Sequence, residues 1–269
     1  MSDSTVGREM PRRRKVEFPF HYAPEGRYVQ VVARLSDEPG ALASLLGLLG
    51  GRLNLVGTQS YSIEDGSAMF SGYGKILDDS SAHDIEELSS LSHSVQACRV
   101  WESNNGLLVD RFHIGLQTAS GEAFLMLPVT ALASTFEELV RTFGSGGETI
   151  LYSQGMDYAK VRWNVYKKIL GPHPETRIDD LAAIFGSLGW GITTVRFESG
   201  KLKYVTRDCF ECSVKTSYSR RCSFLRGMAV GIGQNVFGEE LICEETRCRQ
   251  KGGDVCEFVL SAKDGTPLG

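Results

Sequence analysis

Apolar positions recur with two rhythms along this chain, period two for strands and period near 3.6 for helices. Residues 28–35 are β-branched and apolar, as in a buried strand. Ser36, Asp37, Glu38, Pro39 and Gly40 form a turn into a helix, where Asp37 is placed to cap and Pro39 suits a first turn. Leu42, Leu45, Leu46 and Leu49 then mark one helical face, and Gly50 and Gly51 end it. Residues 53–63 and 67–76 read as strands joined by a hairpin at Glu64, Asp65 and Gly66. A more polar helix over 82–91 and a closing strand over 94–100 complete the order β-α-β-β-α-β.

Ser103, Asn104, Asn105 and Gly106 make a polar break, which sets a domain boundary between 104 and 105. Beyond it the pattern predicts strands over 107–113 and 121–127, an amphipathic helix over 129–143 and a flexible link over 144–147. Helices follow over 150–170, stopped by Pro172 and Pro174, and over 178–188, ended by Gly189 and Gly191. Short strands are expected over 192–197, 202–206 and 210–216, then a helix over 222–236 and strands over 241–249 and 255–260. Residues 105–263 are enough to enclose a core of their own.

Residues 1–26 read as a disordered tail with a basic run, Arg12, Arg13, Arg14 and Lys15. At 42% apolar and 23% charged, the whole chain has a globular composition, which excludes fibrous and wholly disordered classes. No apolar run reaches the roughly 18 residues that span a bilayer, and no apolar segment follows the N-terminal charges as a secretory signal requires. A net charge of −4 speaks against nucleic acid as the main partner. The seven cysteines are an odd number without an export signal, so reduced thiols or a metal site in a cytoplasmic protein are expected before a disulfide framework.

The segment 27–104 resembles an ACT domain, the ferredoxin-like βαββαβ module that binds amino acids and regulates metabolic enzymes. The resemblance rests on Asp37, Glu38, Pro39, Gly40, Ala41 and Leu42 after the first strand and on Asn54, Leu55 and Val56 entering the second. It implies ligand contacts at Asp37, Gly40, Ala41, Asn54 and Leu55. A glycine at the turn lets a ligand approach the backbone, and a helix N-terminus favours a carboxylate. Pairing of modules without ligand is the other role such domains have.

The segment 105–263 is similar to a 4-vinyl reductase (4VR) domain, a mixed α/β fold shared more distantly with TRAPP-type trafficking subunits. Cys222, Gly227, Gly231, Gly238, Glu240, Glu245, Cys248, Gly252 and Cys256 carry the likeness. The same pattern occurs in the sensory domains of phenol- and xylene-responsive activators, where a Cys, Glu, Cys, Cys set holds structural zinc beside an aromatic-ligand pocket. The resemblance thus implies Zn²⁺ held by Cys222, Glu245, Cys248 and Cys256. The residue types suit that chemistry. Cys248 and Cys256 flank a tight Gly252-Gly253 loop, Glu245 lies three residues before Cys248, and Cys222 opens a helix whose positive end favours a thiolate. Four protein ligands make a closed, structural site. Taken without the family, the same cysteines can be buried thiols acting as small hydrophobes.

Cys209 and Cys212 form a C-x-x-C that offers a rival, all-thiolate set with Cys248 and Cys256. It ranks second, because residues three apart in a strand point to opposite faces. A redox dithiol lacks the βαβ setting it needs. Cys98 is expected in the first core. Trp163, Tyr166, Phe197, Tyr204, Phe224 and Phe237 are the candidates for lining a hydrophobic pocket, beside a helix punctuated by Gly227, Gly231 and Gly233. The five histidines stand at no motif spacing, and no nucleophile elbow, phosphate loop or metalloprotease motif is present.

Together these readings predict a non-catalytic sensor or regulatory protein. It would be a cytoplasmic homodimer taking a small hydrophobic or aromatic molecule, with an amino acid as a second candidate ligand, and passing its signal to a separate protein. The alternative is an accessory protein or reductase acting on tetrapyrrole vinyl groups, and a scaffold with a filled core is a third reading.

Overall fold

The structure is a computed structural model of the 269-residue chain, and it describes residues 20–22, 24–63, 65–103, 106–113, 115–117, 121–215 and 222–268. The chain divides into two compact units, Met1–Met126 and Leu127–Gly269.

The first unit contains β1 (Phe20–Tyr22), β2 (Tyr28–Ser36), α1 (Ala41–Leu49), β3 (Leu53–Ile63), β4 (Ser67–Ile76), α2 (Ala82–Ser90), β5 (Val95–Glu102), β6 (Leu107–Val109), β7 (Leu116–Gln117) and β8 (Ala123–Phe124). Four strands form an antiparallel sheet in the order β3-β4-β2-β5. Alternation along β2 sends Val29, Val31, Ala33 and Leu35 into one core with Leu45 and Leu49 of α1 and Ile85 of α2. Cys98 joins that core. Asp37 does not cap α1. The helix opens at Gly40, at φ +91°, with no side-chain cap, and Asp37 is exposed. The capping box sits instead on α2, where the Asp84 N–H donates to Ser81 Oγ at 3.2 Å and the Ser81 N–H to Asp84 Oδ2 at 2.8 Å.

Three features differ from the sequence reading. Phe20–Tyr22, expected in the disordered tail, is a strand paired with β6, while residues 1–19 and their basic run lie outside the described residues. Residues 107–124 group with the first unit, and their strands are only two or three residues long. Buried Gln30, next to the core-facing Val29 and Val31, supplies a reason. Its Nε2 donates to Asp110 Oδ1 at 2.9 Å and its Oε1 accepts from the Arg111 N–H at 3.0 Å. A buried amide needs such partners, and this one pins the segment that provides them.

The second unit contains α3 (Val129–Phe143), α4 (Ser145–Leu170), α5 (Ile178–Ser187), β9 (Ile192–Glu198), β10 (Lys201–Arg207), α6 (Ser223–Phe237), β11 (Leu241–Arg247) and β12 (Cys256–Ala262). Its antiparallel sheet runs β11-β12-β10-β9. The expected flexible link over 144–147 is helical from Ser145 onward. A Cβ on Gly147 would lie 2.6 Å from the Leu139 carbonyl oxygen, so this glycine serves close packing of α3 on α4. The strand expected over 210–216 is a 3₁₀ turn, Phe210–Cys212, and residues 216–221 lie outside the described residues. Asp208, at φ +51°, turns the chain out of the sheet before a strand can continue. No described helix is long and apolar enough to cross a membrane.

Candidate metal centre

That turn changes the chemistry of the C-x-x-C. In a 3₁₀ helix residues three apart eclipse, so both thiols leave the backbone on one side. Cys209 Sγ lies 3.8 Å and Cys212 Sγ 3.3 Å from Cys222 Sγ. The opposite-face argument against these two residues therefore fails. Cys222 sits at the N-cap of α6. Cys248 follows β11, and the tight loop after it, closed by a Gly253 N–H to Cys248 carbonyl bond of 3.2 Å, returns the chain to Cys256 at the start of β12.

Five cysteines thus meet: Cys209, Cys212, Cys222, Cys248 and Cys256, all buried. Cys212 Sγ is 3.7 Å from Cys248 and 3.6 Å from Cys256, and Cys222 Sγ is 3.9 Å from Cys248 and 3.8 Å from Cys256. Two groups bring one donor atom per residue within 4.8 Å of every other: Cys209, Cys212, Cys222 and Cys256, and Cys222, Glu245, Cys248 and Cys256. The second group is the set expected from the sequence. The first has the C-x-x-C with Cys222 in the place that the rival set gave to Cys248. Soft sulfur donors with one carboxylate, closed off from water, suit a borderline-soft divalent ion.

The electrostatics are those of a crowded thiol cluster. Neighbouring thiols, Cys209 foremost, hold Cys212 far below its ordinary pKa, and the same crowding pushes Cys222 and Cys256 well above theirs. One sulfur carries the charge and the others donate to it. Burial raises the Glu245 carboxyl above the usual carboxylate range. The Cys222 N–H donates to its two oxygens at 3.2 and 3.4 Å. Cys243 stands apart from the cluster, near the Tyr204 hydroxyl at 4.0 Å, and burial pushes its thiol up to about 12.

Sequence reasoning missed Glu211. It is buried within the C-x-x-C, and its carboxylate accepts from the backbone N–H groups of Phe224 at 3.0 Å and Leu225 at 3.2 Å. An acidic residue between two clustered cysteines, close in sequence to an uncapped helix start, is the signal that was available.

A second feature lies beside the cluster. Between α5, α6 and the sheet is a cavity of about 80 Å³. Phe185, Trp190, Leu202, Met228 and Leu260 face it, with polar edges at Tyr204, Thr193 and Thr206. The two threonine hydroxyls bond each other at 2.9 Å, and the tyrosine hydroxyl donates to the Leu225 carbonyl at 3.3 Å. Of the six aromatic candidates, Tyr204 alone lines it. Tyr166 is spent on an edge contact with Phe185, and Phe224 packs against Phe136 and Trp190. Phe197 is half exposed against Phe237, and Trp163 is half-buried at the core margin. Trp190, an indole between two glycines, is the aromatic that the sequence reading overlooked.

In the first unit, Asp37 and Gly40 are exposed in the turn before α1, and Ala41 is buried at its start. Asn54 is exposed and Leu55 half-buried on the edge strand β3.

Comparison with known proteins gives three partial likenesses. An uncharacterized protein of Methanocaldococcus jannaschii is 26% identical over 127 residues, covering 46% of this chain and 70% of that one. The phenol-responsive sensory domain of the transcription activator PoxR, solved with phenol, superposes with a TM-score of 0.45 at 15% identity, over 83% of this chain and 93% of that one. A vinyl-4-reductase family protein from Methanocaldococcus jannaschii gives 0.38 at 19% identity, over 52% and 83%. Residues 202–262, which hold every cysteine of the cluster, match the vinyl-4-reductase (4VR) domain: the C-terminal region of this chain carries one.

Proposed function

We propose that this protein is a ligand-responsive regulator whose 4VR domain takes a small apolar molecule into the cavity beside a structural zinc clamp. One observation carries the reading: the cavity and the cysteine cluster share the same elements. Cys222 opens α6, whose Leu225, Met228 and Ile232 line the cavity. Cys256 stands opposite Thr206, another lining residue. In the expected set, Cys222, Glu245, Cys248 and Cys256 hold the ion. Zinc bound there supplies cross-linking and no activated water, because four protein donors close the coordination shell. The chain's own part is to fix the start of α6 to β12, so that the wall of the cavity is firm.

The size of the space defines the ligand class. A volume of about 80 Å³ is roughly half that of an apolar cavity known to take benzene, so a single ring or a short branched chain is the upper range without local opening. The macrocycle of a tetrapyrrole is much larger, which sets the vinyl-reductase alternative behind the sensor reading. The lining is apolar apart from one tyrosine and two threonines, so a ring bearing at most one hydroxyl suits its chemistry.

For the first unit we propose an ACT-type role, either amino-acid binding at Asp37, Gly40, Ala41, Asn54 and Leu55 or pairing of two copies. The positive φ of Gly40 and the open space around its Cβ position support an approach by a ligand. Any ligand that prefers one arrangement of a homodimer shifts the population toward it, and a separate, cytoplasmic partner reads the result.

Toluene and phenol serve as probes in thermal-shift and calorimetric titrations of the full chain. The reading expects saturable stabilisation by at least one of them, lost when Ala229→Leu narrows the cavity. No shift with either probe, or the same shift in the variant, overturns it.

A further inference from the structure

We infer that the ion site of this chain is all-sulfur, held by Cys212, Cys222, Cys248 and Cys256, with Cys212 in the place expected for Glu245. The inference rests on the zinc reading above and corrects its ligand set. A tetrahedral ion with sulfur bonds of about 2.3 Å separates its ligands by about 3.8 Å. Five of the six edges of this tetrad are 3.3, 3.6, 3.7, 3.8 and 3.9 Å. The sixth, between Cys248 and Cys256, lies within 4.8 Å. These four sulfurs therefore already stand near the corners of a tetrahedron of the right size.

Glu245 has another task. Both of its oxygens accept from the Cys222 N–H, at the first turn of α6. A carboxylate there satisfies an orphan donor and complements the helix dipole. It thereby positions the backbone of a ligand without contributing a donor to the ion. Cys212 has the opposite situation: its sulfur is buried and lies against sulfur on three sides, from Cys222, Cys248 and Cys256. Cys209 is the reserve thiol. It completes a second sulfur set with Cys212, Cys222 and Cys256 in place of Cys248, so Cys212 belongs to both. Four thiolates make the site softer than three with a carboxylate, and it selects zinc or cadmium over magnesium or manganese.

The test begins with the unmutated full chain loaded with zinc. X-ray absorption at the zinc edge should report four sulfur neighbours at about 2.3 Å and no oxygen shell. Three sulfurs with one oxygen near 2.0 Å overturn the inference while leaving the zinc reading intact. Absence of stoichiometric metal overturns both. Cobalt substitution then assigns the residues. Cys212→Ser should lose about a quarter of the sulfur-to-cobalt charge-transfer intensity, one thiolate of four, and Glu245→Gln and Cys209→Ser should lose none. An unchanged spectrum in Cys212→Ser, or a loss in Cys209→Ser in its place, rejects Cys212 and Cys248 as the pair that completes the site.

Discussion

The Glu211 carboxylate accepts the Phe224 backbone N–H at 3.0 Å, and this bond fastens the C-x-x-C turn to the first turn of α6. A second bond, from the Leu225 N–H at 3.2 Å, reinforces it. Cys209, Cys212 and Cys222 are thereby set against one another by a carboxylate that need not touch any ion. Replacing Glu211 by Ala leaves two buried N–H groups without their acceptor. The expected loss is about 1–3 kcal/mol of stability in the second unit, measured by urea denaturation of the metal-free protein. A midpoint equal to wild type would remove Glu211 from the account of how the cluster is built.

Gly227 is the point of closest approach between α6 and α4. A Cβ placed there would sit 1.9 Å from the Tyr152 carbonyl oxygen. Gly227→Ala should destabilise the second unit by at least about 1–3 kcal/mol through overpacking. The control is Gly47, exposed within α1 and with nothing within 4 Å of its Cβ position. Gly47→Ala should stabilise the first unit by about 0.5–1 kcal/mol. Thermal melts that show the same direction for both would contradict this packing.

Acid should weaken the first unit through Asp110. Burial by itself raises this carboxyl, but bonds from the His113 and Phe112 backbone N–H groups, the Gln30 amide and the His113 ring outweigh it and hold it at about 2. A folded pKa below the unfolded value of about 3.9 adds stability that is fully present above that value and is lost as pH falls through the folded one. The window therefore runs from about pH 4 down to about pH 2. Asp110→Asn should flatten the acid limb of the stability curve there, as followed by fluorescence of Trp101. A limb of unchanged steepness would assign acid sensitivity to other carboxylates.

Metal removal should act on one unit only. Chelation of the loaded protein is expected to lower the melting of the second unit while the first keeps its own, because binding free energy at a structural site is folding free energy. Cys222→Ser and Cys256→Ser should reproduce the chelated state, since both sulfurs belong to each candidate set that the geometry allows. Identical melting with and without chelator would reject a structural ion.

An amino-acid screen addresses the first unit. Gly40→Asp should abolish any amino-acid-induced thermal shift, because a side chain and a charge are introduced where the turn stands at φ +91°. If no amino acid shifts the wild type, pairing of copies is the role left to this unit, and analytical ultracentrifugation is its measurement.

Local pattern was enough for most elements. Alternation in β2 and the leucine spacing of α1 placed those elements within a residue of their observed bounds, because one face of each is buried and the other is not. The cysteine, glutamate and glycine spacing around the final loop likewise marked Cys222, Glu245, Cys248 and Cys256 before their proximity was known. What period and spacing do not contain is the direction of a chain after a break. Asp208 turns out of the sheet, so Cys209 and Cys212 face the cluster from a 3₁₀ turn, and no periodicity encodes that. Gln30 reaches Asp110 from a distant part of the chain, and Trp190 enters a cavity whose other walls come from separate segments. These contacts arise from long-range packing and from the need of buried polar groups for partners, and only the tertiary structure decides which ones meet.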